Sequence, residues 1–147
     1  MKKGDIEISI ESKLSYLDLV QEVSDVISRR AGFDQDTGHW IGMSVRELVA
    51  NAIQHGNQLD EKKMVGIRFE LLSDRLVIAV RDEGHGFDDA VLPDPLSPEN
   101  LLKSSGRGIF YVRSFMDEVN FHQLPEGGME VRMGKMFKAG NSKEEGK

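Results

Sequence analysis

The stretch that decides the fold runs from Arg46 to Gly56 and reads Arg-Glu-Leu-Val-Ala-Asn-Ala-Ile-Gln-His-Gly. Glu47 and Asn51 are four residues apart, so on a helix they differ by only about 40° around the axis and share one face. Both offer hard oxygen ligands of the kind that Mg²⁺ accepts alongside water and phosphate oxygens. The opposite face is apolar at helical spacing: Ile41, Val45, Leu48, Val49, Ala52 and Ile53. The pattern favours a polar site on this helix, although a Glu and an Asn on a solvated surface would have the same spacing.

The bulk properties bound the class of protein. A length of 147 residues suits one domain, since two halves would each lack a sufficient core. The net charge of −6 argues against a general nucleic-acid-binding surface, which needs basic residues to displace counterions. The absence of cysteine excludes disulfides, thiolate metal sites and cysteine nucleophiles. The longest apolar run, Leu76 to Val80, is far shorter than a membrane span, and no secretion signal opens the sequence, so a cytoplasmic protein is expected.

Periodicity predicts an alternation of strands and helices along the chain. Ser12 is expected to cap the first helix, and Gly56 to end the second. Strands are predicted over about 6–11, 64–72, 76–82, 119–122 and 129–133, and helices over about 14–31, 36–55 and 108–116. The segment 88–105 contains three prolines and is predicted to be a long loop, either a lid or a disordered stretch. Residues 1–137 are therefore expected to form one domain, with 138–147 as a polar tail.

A glycine-rich turn, Asp82-Glu83-Gly84-His85-Gly86, follows the most apolar predicted strand. Glycines let the backbone pass close to a ligand and adopt positive φ angles, although an ordinary tight turn would look the same. The turn is not a dinucleotide fingerprint, because Asp89 stands where the third glycine would be. No G-x-x-x-x-G-K-[ST] phosphate loop occurs in the chain, so the common nucleotide-binding folds are disfavoured.

A second glycine pair, Gly106-Arg107-Gly108, ends the long loop and precedes a predicted helix. Backbone N–H groups at a helix start, together with the helix dipole, form an anion-binding site. Arg107 and the nearby Lys103 would add positive charge. The alternative is an ordinary helix start with a solvated arginine.

Other conspicuous side chains are interpreted as structural. No metal-ligand spacing links the four histidines, which are His39, His55, His85 and His122. His85, inside the glycine turn, is the one that could line a pocket. Three aromatic residues are predicted to pack in the core: Trp40, Phe69 and Phe110.

Taken together and in this order, the three motifs resemble the ATP-binding fold shared by gyrase, Hsp90, histidine kinases and MutL. The stretch from Arg46 to Gly56 and the stretch Gly106-Arg107-Gly108-Ile109-Phe110 are most similar to the anti-sigma-factor serine kinases of bacteria. The similarity covers roughly 6–137. It implies an α+β fold: a two-layer α/β sandwich with a mixed, mainly antiparallel sheet, helices on one face, and ATP between helix and lid.

The resemblance also implies roles for the motif residues. Asp82 would accept a hydrogen bond from the adenine amino group, with Gly84 and Gly86 passing beside adenine and ribose. Asn51 would hold Mg²⁺, and Glu47 would orient or deprotonate the attacking hydroxyl.

Further nucleotide contacts are implied near the phosphates, with backbone donors at the two glycines of the second pair: His55, Lys103, Gly106, Arg107 and Gly108. The chain departs from the family pattern at Ser104, where an arginine is common, and at Met129, where a threonine is usual.

The resemblance implies a serine/threonine protein kinase in a partner-switching circuit. Its partners would be an anti-sigma-factor antagonist that carries the phosphoacceptor, a sigma factor, and a second copy in a homodimer, with no nucleic acid or membrane. Two alternatives stay open: an ATP-gated binding module without kinase activity, and a stand-alone ATPase.

Overall fold

The computed structural model describes residues 2–84 and 104–138. Within these ranges the strands are β1 (Lys2–Glu11), β2 (Met64–Leu72), β3 (Arg75–Arg81), β4 (Glu118–Gln123) and β5 (Met129–Met136). The helices are α1 (Leu17–Ala31), α2 (Gln35–Asn51) and α3 (Ser104–Phe115). A 3₁₀ turn, Leu14–Tyr16, precedes α1, and a π-helical turn, Ala52–Gly56, follows α2.

The five described strands form one sheet in the order β1-β2-β3-β5-β4, and every neighbouring pair is antiparallel. The α+β class is therefore confirmed, whereas the expected mixed sheet is antiparallel throughout the described strands. The reason is in the connections. The connection from β1 to β2 contains two helices. After them the chain returns to the sheet beside β1 and runs in the opposite direction.

Helices on one face of the sheet bury the core. The apolar face predicted for α2 is confirmed, because all six of its residues are 6% exposed or less. They pack with fully buried side chains of β2 and β3, including Phe69 and Ile78. Phe69 thus meets its prediction, whereas Trp40 and Phe110 are 51% and 52% exposed, so predicting them as core residues was wrong. Both lie on the outer side of the helical layer, which no second sheet covers in the described structure.

Two predicted helix starts differ from the structure. Ser12 does not cap a helix; it is buried and donates from Oγ to the Lys63 carbonyl (2.6 Å), so a long-range contact has taken its hydroxyl. The α3 helix begins at Ser104, four residues before the predicted start at Gly108, so both glycines of the second pair lie inside it. Asp34 caps α2, since its carboxylate accepts from the Thr37 N–H (2.7 Å).

Most of the predicted long loop lies outside the described residues, and so does the tail beyond Lys138. Ser104 and Ser105, which were predicted to belong to that loop, form the first turn of α3. None of the described helices is long and apolar enough to cross a membrane.

Candidate functional site

Glu47 and Asn51 lie together on the outer face of α2, as their spacing predicts, and each is half-buried. The Asn51 side chain interacts with the Glu47 carboxylate in the sense that favours its ionised form. Asn51 also carries an amide oxygen, Oδ1, which can accept a hydrogen bond or ligate a metal ion. Burial raises the pKa of the Glu47 carboxyl above its ordinary value, and the interaction with Asn51 opposes that shift.

The neighbouring helix α3 packs its backbone against Glu47. A Cβ atom at Gly108 would overlap the Glu47 carboxylate, so only glycine leaves room for this side chain. Gly106 lies in the first turn of α3, whose N–H groups have no partner within the helix. Gly108 lies further along, where a helix uses its own N–H groups. Gly106 therefore remains the candidate backbone donor, and Gly108 has a steric reason to be glycine.

Asp82 lies directly after β3 and is buried, with 8% of its surface exposed. Its Oδ1 accepts from the backbone N–H of Gly84 (2.9 Å) and of Met129 (3.1 Å). Its own N–H donates to the Met129 carbonyl (3.0 Å). Among the described residues none donates to Oδ2, which leaves that oxygen as an acceptor for a ligand N–H. Burial raises the pKa of Asp82, while the two backbone bonds and the charge of Lys63 act in the opposite direction.

Three glycines bring backbone against this carboxylate. A Cβ atom at Gly56 would overlap Asp82 Oδ2, and one at Gly128 would overlap the Asp82 carbonyl. A Cβ at Gly84 would overlap the Gly56 carbonyl, and Gly128 also has a φ of +93°. The result, among the described residues, is a cradle of glycine backbone around a carboxylate whose Oδ2 accepts no bond from them. It fits the edge of a planar ring that carries an N–H donor, which is what adenine presents.

Gly56 and Gly128 were not recognised as site residues from the sequence, where they read as a helix end and a turn. Their positions in the sequence, next to residues of the motifs, could have indicated that they belong to the site. Gly56 ends the same stretch that carries Glu47 and Asn51, and Gly128 immediately precedes Met129.

A π-helical turn connects the two parts of the site. It closes with a bond from the Asn57 N–H to the Ala52 carbonyl (2.7 Å), and π turns are rare and frequent at functional sites. The turn carries His55 on its exposed side and delivers Gly56 to Asp82. Gln58 and Leu59 follow with φ of 53° and 61°, a left-handed backbone that non-glycine residues rarely adopt.

The structure brings the predicted residues together in two groups. Asn51 and Gly108 contact Glu47, and Gly84 contacts Asp82. Gly106 and Arg107 lie in the first turns of α3. Three predicted or possible pocket residues lie outside the described residues: His85, Gly86 and Lys103.

The two departures from the family pattern affect the site differently. Met129 bonds to Asp82 through its backbone N–H, so this contact does not depend on having a threonine side chain there. Ser104 is the first residue of α3. The described residues contain no group of three His, Asp or Glu side chains that could hold a metal ion by themselves.

Comparison with known proteins gives a consistent match. The family described as the histidine kinase-like ATPase domain matches residues 10–135 of this chain. A protein of Staphylococcus aureus (strain bovine RF122 / ET3-1) named serine-protein kinase RsbW is 32% identical over 146 residues, covering 93% of this chain and 89% of the relative. The protein of the same name in Staphylococcus epidermidis is 30% identical over 140 residues, covering 90% and 87%.

Proposed function

This chain belongs to the histidine kinase-like ATPase domain family, and from that premise we propose that it is a Mg-ATP-dependent serine/threonine protein kinase acting as an anti-sigma factor. Its named relatives are serine-protein kinases, which gives the enzyme class. In the finer proposal the substrate is an anti-sigma-factor antagonist in a partner-switching circuit. A sigma factor and a second copy of the chain are the other proposed partners, and the cytoplasm is the proposed location.

The nucleotide is proposed to lie along α2, between the cradle at Asp82 and the start of α3. Asp82 Oδ2 would accept from the adenine amino group, and Gly84 and Gly86 would pass beside the base and ribose. Asn51 Oδ1 would hold Mg²⁺. The ion would supply positive charge that neutralises the phosphates.

The phosphates would meet the opening of α3. The N–H of Gly106 is one of the groups that a helix start leaves unpaired, and the helix dipole adds to its attraction for anions. Four further contacts are proposed around it, from His55, Lys103, Arg107 and Gly108.

Glu47 is proposed as the group that orients or deprotonates the attacking hydroxyl. The observation that carries the proposal is the confinement of this half-buried carboxylate: the backbone of α3 packs against it at Gly108, where a Cβ atom would overlap it. Its raised pKa also suits the task, because a base is most effective when its pKa lies nearer the working pH.

Label transfer tests the proposal. The purified protein is mixed with Mg-[γ-³²P]ATP and the small single-domain antagonists encoded by neighbouring genes, and a phosphoserine or phosphothreonine is expected on one of them. Glu47→Gln keeps the size of the side chain and is expected to lower the transfer rate at least about 100-fold. Its affinity for ADP, measured by calorimetry, should stay within about twofold of wild type, since Glu47 touches the reacting hydroxyl rather than the base.

The matched control is Glu22→Gln, an exposed glutamate on α1, which should change neither quantity. ATP binding without transfer to any candidate would instead support the ATP-gated binding module, whereas transfer that survives Glu47→Gln would show that Glu47 is not the catalytic group.

A further inference from the structure

A buried hydrogen-bonded cluster lies behind the Asp82 cradle and has no part in the proposed catalysis. Its centre is Asn57, 1% exposed, which follows the π turn. Asn57 Oδ1 accepts from the Glu83 N–H (2.8 Å). Its Nδ2 donates to Ser12 Oγ (2.8 Å) and to the Met64 carbonyl (3.0 Å). One side chain therefore joins the ends of β1 and α2, the start of β2 and the turn after β3.

The cluster closes on itself through Glu83. Its Oε1 accepts from the Met64 N–H (3.0 Å), so Glu83 is held both by its backbone and by its side chain. Ser12, 2% exposed, completes the cluster on the far side by donating to the Lys63 carbonyl. All polar atoms of the Asn57 side chain are therefore hydrogen-bonded: Nδ2 donates twice, and Oδ1 accepts.

The position of Glu83 determines how Asp82 is oriented. Glu83 stands between Asp82 and Gly84, and the Gly84 N–H is one of the two bonds that fix Asp82 Oδ1. Asn57 in turn directly follows Gly56, whose Cα lies against Asp82 Oδ2. A shift of either segment would rotate the oxygen that is free to meet a ligand.

The chemistry of Asn57 points to positioning rather than to stability alone. Buried polar clusters contribute little net stability compared with apolar packing, but when every member is bonded they specify one geometry. Here the specified geometry is the distance between the end of α2 and the Asp82 turn, which are the two supports of the proposed nucleotide site.

We propose that Asn57 is a positioning residue for base recognition: by holding the Glu83 N–H it orients the Asp82 carboxylate and sets the preference for adenine over a base that lacks the 6-amino group. The inference rests on the proposed ATP site. Asn57 would contact neither the nucleotide nor the phosphoacceptor, yet it would determine which base the site prefers.

Calorimetry with ADP and IDP tests the proposal, because the hypoxanthine of IDP has an oxygen where adenine has its amino group. Asn57→Ala is expected to weaken ADP binding about tenfold, which corresponds to the loss of one hydrogen bond between Asp82 and adenine. IDP binding should stay within about twofold of wild type. The matched control is Ser12→Ala, which removes two bonds of the same cluster, those of Ser12 Oγ with Asn57 Nδ2 and with the Lys63 carbonyl, and leaves the bond from the Glu83 N–H to Asn57 in place. It should lower the urea midpoint of unfolding, as Asn57→Ala does, yet preserve the ADP-to-IDP affinity ratio.

Glu83 supplies a second test that does not disturb the core, since its side chain is exposed. Glu83→Ala should lower the ADP-to-IDP ratio in the same direction as Asn57→Ala, and Glu83→Gln, which keeps an acceptor for the Met64 N–H, should restore it. An equal loss for ADP and IDP in both Asn57→Ala and Glu83→Ala would mean that the cluster is only structural and would overturn the inference. A wild-type protein with no preference for ADP over IDP would instead overturn the proposed ATP site itself.

Discussion

The two carboxylates of the site are held in different ways. Asp82 is fixed by backbone: two N–H groups bond its Oδ1, and three glycines bring main chain to within contact of it or of its turn. Glu47 is confined by the packing of a separate helix and interacts with the side chain of Asn51. The proposed base-reading end is therefore part of the sheet, whereas the proposed catalytic end depends on how α3 lies on α2. This difference predicts that binding and catalysis can be lost separately.

The interactions that act on the pKa of the two carboxyls also differ. Burial raises the pKa of both carboxyls, but Asp82 has two backbone bonds and a lysine charge opposing the shift, and Glu47 has one side-chain bond. A raised folded-state pKa means that the stabilising contribution is fully present below the ordinary carboxyl pKa and is lost as pH rises through the folded-state value. Once ionised, both groups cost folding free energy relative to solvated carboxylates.

The largest effect on nucleotide affinity is expected at the adenine end, from Asp82→Asn. The amide keeps an oxygen to accept from Gly84 and Met129, so the cradle should survive, but it presents N–H in place of the free Oδ2. Losing a hydrogen bond to a charged acceptor costs about 1.5–3 kcal/mol, so ADP affinity should fall about 10- to 100-fold by calorimetry. IDP should lose much less, because the new N–H donor faces the 6-carbonyl oxygen of hypoxanthine.

Asp60→Asn is the control for Asp82→Asn. Asp60 also accepts a backbone N–H, from Lys62 (3.0 Å), but in an exposed loop, so nucleotide affinity should not change. Unchanged ADP affinity in Asp82→Asn would show that the base lies elsewhere and that Asp82 is not the carboxylate that binds adenine.

A smaller effect is expected at the catalytic end, from Gly108→Ala. The new Cβ would overlap the Glu47 carboxylate, so Glu47 or α3 must move. A displacement of about 1 Å in a catalytic group can cost about 100-fold in rate, and for a smaller displacement we expect kcat to fall about tenfold while ADP affinity stays within about twofold. Alanine is also the better helix former, so the loss cannot be attributed to a weaker helix.

Gly38→Ala is the matched control for Gly108→Ala. It too is a glycine in a helix, but its Cβ would meet only Ser28 Cβ at 3.5 Å, an ordinary contact. Phosphoryl transfer should therefore be unchanged in Gly38→Ala. If Gly108→Ala also left kcat unchanged, Glu47 would not depend on α3, and the contrast between the two ends would fail.

The parts of the fold that could be predicted are those determined by local pattern. The strand over 64–72 was predicted with its observed bounds, and the next strand to within one residue at each end, because their apolar patterns and the short turn at 73–75 lie within a short window. Ser12 shows the opposite case. A serine before a helical pattern resembles a cap, but its actual partners, Lys63 and Asn57, are more than forty residues away in sequence.

The same distinction between local patterns and contacts of distant segments applies to the candidate site. The pairing of Glu47 with Asn51 follows from helical spacing alone, and the structure bears it out. The contacts of Gly56, Gly108 and Gly128 with carboxylates could not be predicted, because each joins segments that only the folded sheet and helices bring together. Asn57 was missed for the same reason: its side chain bonds to residues from three other parts of the chain.

The smallest effect sharpens the comparison at Glu47 itself. Because burial raises the pKa of this carboxyl and the Asn51 bond lowers it, Asn51→Ala should raise that pKa further, as seen by carboxyl ¹³C NMR titration of the nucleotide-free protein. Gln54→Ala, an exposed change on the π turn, is the control and should leave the titration where it is. In wild type the same shift should move the acid limb of kcat to a higher pH than an ordinary glutamate would give, since only the ionised carboxylate can take the proton. A Glu47 titration that does not respond to Asn51→Ala would mean that the two side chains act independently, and that the catalytic end is held by the packing of α3 alone.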